Sequence, residues 1–229
     1  DNIAQRGGSV GDTKLVPGAC LAVPLVTGDI TMTAFGTVTE VEGDSVYGFG
    51  HSFLGYGPID LPMATGEIHT VVSSVRRSFK LASPVEIIGA LRADESAAVR
   101  GQIGAKAKMI PLTIKVDHYN DTEEQVYDCQ VAYNRLLTPG LLRAAVDGAV
   151  LSLGDFPPDH MTEYKVAINI KDTEPLSFEN VSTGLGLAEM IRESIGSVAL
   201  IMNNPYREVD IKSIDFGVRI VPKNIVSHI

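Results

Sequence analysis

Residues 30–41, ITMTAFGTVTEV, decide the fold of the first half of the chain. Four threonines fall on one parity of this run, and apolar residues fall on the other. Alternation with a period of two predicts a β-strand whose two faces differ in polarity. Residues 42–44, EGD, then predict a tight turn, and Ser45–Phe49 predicts the returning strand.

Short strand patterns continue on both sides of this hairpin. They are found at Cys20–Val26, Glu67–Arg76, Phe79–Leu81, Glu86–Leu91 and Ala98–Ile103. Ser52–Pro62, which is rich in glycine and proline, is predicted to be a loop. Many short strands separated by turns are typical of a barrel or a sandwich. We therefore predict a mainly β fold for residues 17–108, preceded by a polar tail at residues 1–16.

The pattern changes near residue 109. Alternating residues at 110–116 and 127–133 predict a hairpin. Apolar stripes at helical spacing predict two helices, one with Thr138 as its N-cap and one from about Gly186. Further strands are predicted at Tyr164–Ile170 and towards the end of the chain. Residues 109–229 are thus predicted to form a small α+β module with two helices and about five strands.

Composition excludes several classes of protein. Of the 229 residues, 45% are hydrophobic and 21% are charged, which is typical of a globular chain. The net charge of −9 argues against a nucleic-acid partner, because such proteins need a basic surface. No apolar run, the longest being Ile195–Met202, approaches the roughly 18–20 residues of a membrane span.

Cysteine and histidine spacing predicts no metal site. Cys20 and Cys129 are far apart in sequence, and they are either two buried thiols or one disulfide. No CxxC pair occurs, and no histidines have the i, i+4 spacing of a helical metal site. We expect no cofactor.

His51 is the leading candidate for chemistry. It directly follows a predicted strand and opens a glycine-rich loop. Imidazole titrates near neutrality, so a histidine placed in this way can act as a general base. The alternative is a histidine that is hydrogen-bonded within a tight turn. For an acidic partner the candidates are Asp60 and Asp94, each of which is otherwise an ordinary solvated carboxylate.

A nucleophile is harder to find in these residues. Residues 7–11, GGSVG, match G-x-S-x-G literally. A nucleophile elbow of this type needs a strand before it and a helix after it, and neither is predicted here. We interpret these residues as part of the tail.

Several short motifs follow one another in a fixed order between about residues 17 and 110. They are Gly28-Asp29-Ile30, Gly36-Thr37-Val38-Thr39, Gly48-Phe49-Gly50-His51, Leu61-Pro62-Met63, Ser78-Phe79-Lys80-Leu81-Ala82-Ser83-Pro84, and the run from Gly89 through Asp94 to Gly101 and Gly104. This ordered set resembles the SpoIVB-type serine peptidase family. The later Asn203-Asn204-Pro205 segment is similar to long members that carry an α+β extension.

The resemblance implies a trypsin-like β-barrel and hydrolysis of a polypeptide substrate by acyl transfer. The family's catalytic base is the histidine after Phe-Gly, and that role falls on His51. Asp94 is our assignment for the acidic partner. The resemblance also implies a bacterial, extracytoplasmic protein of the cell envelope or a secreted one.

The family's nucleophile does not fall within these residues. Its serine lies in a Gly-Met-Ser-Gly-Ser-Pro-like motif that the 229 residues lack. We therefore expect that a second segment or chain supplies this serine and completes the site. The alternative is a catalytically inactive relative that serves as a binding or structural module in a larger assembly.

Overall fold

A computed structural model describes residues 14–73, 79–120, 122–152, 154, 156–183 and 187–223. The described chain is mainly β, as the sequence predicts. Its strands are β1 (Cys20–Gly28), β2 (Met32–Glu42), β3 (Ser45–Gly48), β4 (Gly57–Val72), β5 (Phe79–Asp94), β6 (Val99–Ile103), β7 (Met109–Asp117), β8 (Gln125–Ala132), β9 (Met161–Ile170), β10 (Leu176–Ser182) and β11 (Ile211–Val221). Its helices are α1 (Thr138–Leu151) and α2 (Ala188–Met202). Most of the predicted tail at residues 1–16 lies outside the described residues.

The chain divides into two compact units. The first comprises the described part of Asp1–Pro24 together with Thr33–Lys106, and the second comprises Leu25–Met32 and the described part of Ala107–Ile229. Strand β1 therefore contributes its first residues to one unit and its last residues to the other. The first unit ends at Lys106, and the second continues from Ala107.

Strand pairing in the first unit is cyclic. The hydrogen-bonded order is β1-β2-β3-β6-β5-β4, and β4 then pairs with β1, with Cys20 opposite Gly66 and Ala22 opposite Ala64. β1 thus pairs with both β2 and β4. The buried apolar side chains of this unit include Leu21, Val23, Val38, Val46, Leu61, Met63, Ala90, Leu91 and Val99.

Two strands of the first unit are longer than the sequence predicts. β4 begins at Gly57, inside the predicted loop Ser52–Pro62, and β5 runs unbroken from Phe79 to Asp94, where two short strands were expected. The pairing of β4 with β5 shifts register at several points, one of them between Pro58 and Leu61. Such irregularities accommodate proline within a strand, because its missing N–H is not needed there.

The second unit is an α+β sheet with the two helices packed into its core. The strand order is β10-β9-β11-β7-β8, and β8 also pairs with Val26–Gly28 of β1. β11 runs parallel to β7, whereas the other pairs are antiparallel. Apolar residues of the strands are buried together with apolar residues of α1 and α2. Core members include Ile110, Leu112, Ile114, Leu142, Val146, Val166, Met190, Val198 and Phe216.

Helix α1 begins one residue earlier than the sequence predicts. Thr138 was expected to be the N-cap, but that position belongs to Leu137 and Thr138 is the first residue of the helix. The Thr138 hydroxyl donates to the Ala132 carbonyl and accepts from the Asn134 N–H, at 2.7 and 2.8 Å. Its side chain therefore joins the helix start to the end of β8 instead of capping the helix.

Cys20 and Cys129 are both free thiols, so the alternative of a disulfide between them is excluded. Burial raises the pKa of each thiol above its ordinary value. In the part of the chain that the structure describes, no helix combines the length and apolar character that crossing a membrane requires.

Candidate functional site

His51 is presented by a turn with unusual backbone geometry at the end of β3. Phe49 has φ +72° and Gly50 has φ +72°. A positive φ is uncommon outside glycine and costs free energy, so the surrounding contacts must hold Phe49 in place. One such contact is the Phe49 N–H, which donates to the Thr37 carbonyl at 2.9 Å.

Two glycines make room for this turn. A Cβ atom on Gly36 would lie 1.8 Å from the Phe49 ring, and a Cβ atom on Gly48 would lie 2.4 Å from the Leu21 side chain. The Phe49 ring therefore rests on the bare backbone of β2. Glycine at both positions is what allows the Gly-Phe-Gly-His motif to fold in this way.

The His51 ring is exposed and has a fixed hydrogen-bonding pattern. Its Nδ1 lies 2.6 Å from the Ser52 carbonyl oxygen. Because a carbonyl oxygen can only accept, Nδ1 is the donor in this contact, and in a neutral imidazole Nε2 is then the nitrogen with the free lone pair. The ring also lies beside Phe49, with 5.9 Å between centroids and 37° between planes. A neutral imidazole held in this tautomer can accept a proton through Nε2.

A cleft of about 550 Å³ surrounds this imidazole. The residues that line it all belong to the first unit: Phe35, Gly36, Thr37, Phe49, His51, Phe53, Phe79 and Lys80. The rings of Phe49 and Phe53 meet edge to face, with centroids 5.4 Å apart. Lys80 Nζ donates to Thr37 Oγ1 at 3.0 Å. The cleft is therefore aromatic, with an imidazole and an ammonium group as its charged or titratable lining.

Asp94, assigned from the sequence as the acidic partner, is placed so as to hold the loop after His51. Its side chain is buried, with 1% of the residue exposed. Its Oδ1 accepts from the Phe53 N–H at 2.7 Å, and its Oδ2 accepts from the N–H groups of Leu54 and Gly55 at 2.6 and 2.7 Å. Among the described residues, Asp94 makes no hydrogen bond to the imidazole. The group that orients His51 is instead the Ser52 carbonyl.

The structure does not bring the other sequence candidates to this cleft. Asp60 pairs with Arg92 at the surface. His69 Nε2 lies 2.8 Å from Ser83 Oγ, and His118 is buried in the second unit with Nδ1 against Asn120. The GGSVG motif at residues 7–11 lies outside the described residues.

Among the described residues, no serine hydroxyl is hydrogen-bonded to the His51 imidazole. Across the same residues, no three His, Cys, Asp or Glu side chains are grouped so that they could hold a metal ion. Sequence reasoning missed Phe35, Thr37 and Lys80 as cleft residues. The only signal for Thr37 and Lys80 was their membership in two of the ordered motifs, since their approach to His51 depends on the pairing of distant strands.

No family model, no curated protein and no solved structure matches this chain. The resemblance to SpoIVB-type peptidases therefore stays a prediction from the ordered motifs.

Proposed function

We propose that this chain is the His51-bearing portion of a SpoIVB-like serine endopeptidase. In this proposal His51 is the general base, and the nucleophilic serine is supplied by a segment that carries the Gly-Met-Ser-Gly-Ser-Pro-like motif. The observation that supports it most is the imidazole itself: it is exposed in a cleft, with Nδ1 bound to the Ser52 carbonyl and Nε2 left as the base.

The proposed reaction is an acyl transfer in two stages. Nε2 of His51 takes the serine hydroxyl proton while the serine oxygen attacks the scissile peptide carbonyl. The imidazolium then gives this proton to the leaving amine as the C–N bond breaks. A water molecule, deprotonated by the same imidazole, hydrolyses the acyl-enzyme and restores the serine.

In this proposal the residues around the base have a positioning role. In serine peptidases with a triad, a carboxylate orients the imidazole through Nδ1–H. Here the Ser52 carbonyl oxygen makes that contact, and the Asp94 carboxylate fixes the next three residues of the loop. A neutral carbonyl stabilises the imidazolium less than a carboxylate does, so we expect a slower base than a full triad provides.

The fold assignment is part of the same proposal. We interpret the cyclic pairing of β1 to β6 as the β-barrel of a trypsin-like peptidase, which the resemblance implies for residues 17–108. The α+β module at residues 109–229 would be the extension found in long members. We also place the activity outside the cytoplasm of a bacterium, as the resemblance implies.

A second candidate is favoured by the absence of a Gly-Met-Ser-Gly-Ser-Pro-like motif from the 229 residues. If no serine reaches His51, the chain is a catalytically inactive, peptidase-like binding or structural module. The two candidates differ in whether a serine reaches His51, since a base without a nucleophile cannot carry out acyl transfer.

The test compares variants of the whole gene product, purified with any fragment that travels with it. Cleavage of an unfolded polypeptide is measured for the wild type, His51→Gln and His69→Gln. We expect His51→Gln to lower kcat/KM by about 10²–10⁴-fold, the usual contribution of a general base. His69, a second histidine of the same unit, serves as the matched control and its variant should cleave normally. Equal activity in all three proteins, or none in the wild type, would refute the proposal.

A further inference from the structure

The lining of the His51 cleft combines aromatic surface with positive charge. Four of its side chains are phenylalanine: Phe35, Phe49, Phe53 and Phe79. No carboxylate lines it among the described residues, although the chain contains 28 acidic residues and has a net charge of −9. This cleft is therefore locally opposite in charge to the protein as a whole.

Lys80 supplies that charge at a defined position. Its ammonium group is held by the Thr37 hydroxyl at 3.0 Å, and no carboxylate forms an ion pair with it among the described residues. The preceding residue, Phe79, also lines the cleft and is 54% exposed. The cleft thus offers an exposed phenyl ring and an ammonium group from adjacent residues of one strand.

We propose that this cleft selects polypeptide segments in which a large apolar residue is followed by an acidic one. The apolar side chain would bury itself against the phenyl rings, where transfer of aromatic or aliphatic surface from water is favourable. The carboxylate would pair with Lys80 Nζ. This inference rests on the proposed function for its substrate class, and it adds the sequence preference at the site.

Charge complementarity distinguishes this occupant from others. A basic segment would bring a second cation towards Lys80, and the described lining holds no carboxylate to compensate for it. A segment without an apolar side chain would leave the phenylalanine rings in water. The preference therefore needs both an apolar and an acidic residue in the segment. The apolar residue would contact the phenylalanine rings, and the acidic residue would pair with Lys80.

The test measures equilibrium binding, which requires no cleavage. Fluorescein-labelled ten-residue peptides with Phe-Glu, Phe-Gln, Phe-Lys or Gly-Glu at their centre are titrated with the chain. We expect the Phe-Glu peptide to bind about tenfold more tightly than the Phe-Lys peptide, and the Gly-Glu peptide to bind weakly.

Three variants separate the two parts of the preference. Lys80→Glu should abolish or reverse the preference for Phe-Glu over Phe-Lys. Lys106→Glu makes the same change of charge at an exposed lysine outside the cleft and should leave the preference intact. Phe79→Ala should weaken binding of all three phenylalanine peptides and leave the Glu-to-Lys ratio unchanged.

The outcomes distinguish this inference from the peptidase proposal. Cleavage that depends on His51, with no difference among the peptides, overturns the inference alone. The expected binding pattern without cleavage supports the preference and refutes the peptidase activity. Equal binding of Phe-Glu and Phe-Lys peptides, or no binding at all, overturns the inference.

Discussion

A Cβ atom on Gly36 would lie 1.8 Å from Cδ1 of Phe49, so the Phe49 ring fills the space above the Gly36 backbone. This contact joins β2 to the turn that carries His51. It explains why a glycine stands among the apolar residues that alternate with the threonines of β2. The packing of one ring on one glycine thus connects the strand pattern to the position of the candidate base.

Gly36→Ala should therefore displace the Phe49 ring and disturb the turn. We expect a loss of about 1–3 kcal/mol in the free energy of unfolding, as for overpacking in a closely fitted core, measured by urea denaturation. Gly196→Ala in helix α2 is the matched control, because its Cβ meets nothing within 4 Å. That change should be neutral or stabilising by up to about 1 kcal/mol. Equal effects of the two substitutions would contradict the role of Gly36.

Asp94→Asn should release the loop that follows His51. The asparagine has the same shape, but it replaces one accepting oxygen with an NH₂ group that faces backbone donors. We expect a loss of about 2–3 kcal/mol in the free energy of unfolding. Hydrogen exchange should show faster exchange at the amides of Phe53, Leu54 and Gly55.

Asp60→Asn is the control for that measurement. Asp60 pairs with Arg92 where their side chains are 37% and 35% exposed, so its loss should cost less than about 1 kcal/mol. Unchanged exchange at residues 53–55 in Asp94→Asn would show that the carboxylate does not hold this loop.

The lowered pKa of Asp210 predicts how the stability of the second unit depends on pH. Hydrogen bonds from Lys108 and Lys212, at 2.5 and 2.6 Å, lower the pKa of Asp210 from an ordinary 3.8 to about 2. The pKa is thus lower in the folded state than in the unfolded state. The carboxylate therefore stabilises the fold above about pH 4, and this contribution is lost as the pH falls towards 2.

Asp210→Asn tests this dependence. The free-energy difference from the wild type should be largest near neutral pH and should shrink towards zero as the pH falls to about 2, as followed by urea denaturation at several pH values. Asp172→Asn, at an exposed aspartate with no ion pair among the described residues, should show no such trend. A free-energy difference that stays constant over this pH range would contradict the stabilising role of the Asp210 carboxylate.

Sequence periodicity was a good guide where one chain segment determines its own structure. The alternation at residues 30–41 predicted β2, and apolar spacing predicted both helices. Glycine and proline content misled the interpretation of Ser52–Pro62, because a register shift in the β4–β5 pair accommodates Pro58 within a strand. Composition cannot show that a distant partner strand will accept such an irregularity.

The candidate site was predictable in part for the same reason. His51 was identified because it follows a strand and opens a glycine-rich loop, two features that lie within one short segment of the sequence. Asp94 was chosen for its charge, but its hydrogen-bond partners lie 39 to 41 residues earlier in the chain. Lys80 was missed because its position in the cleft follows from strand pairing and from a hydroxyl on β2.

The proposed function requires that His51 activates a serine. The most direct measurement is labelling of the whole gene product with a fluorophosphonate probe, followed by peptide mapping of the modified residue. We expect one labelled serine, within a Gly-Met-Ser-Gly-Ser-Pro-like segment, with labelling lost in His51→Gln and retained in His69→Gln. No labelled serine, or labelling that persists in His51→Gln, would contradict it.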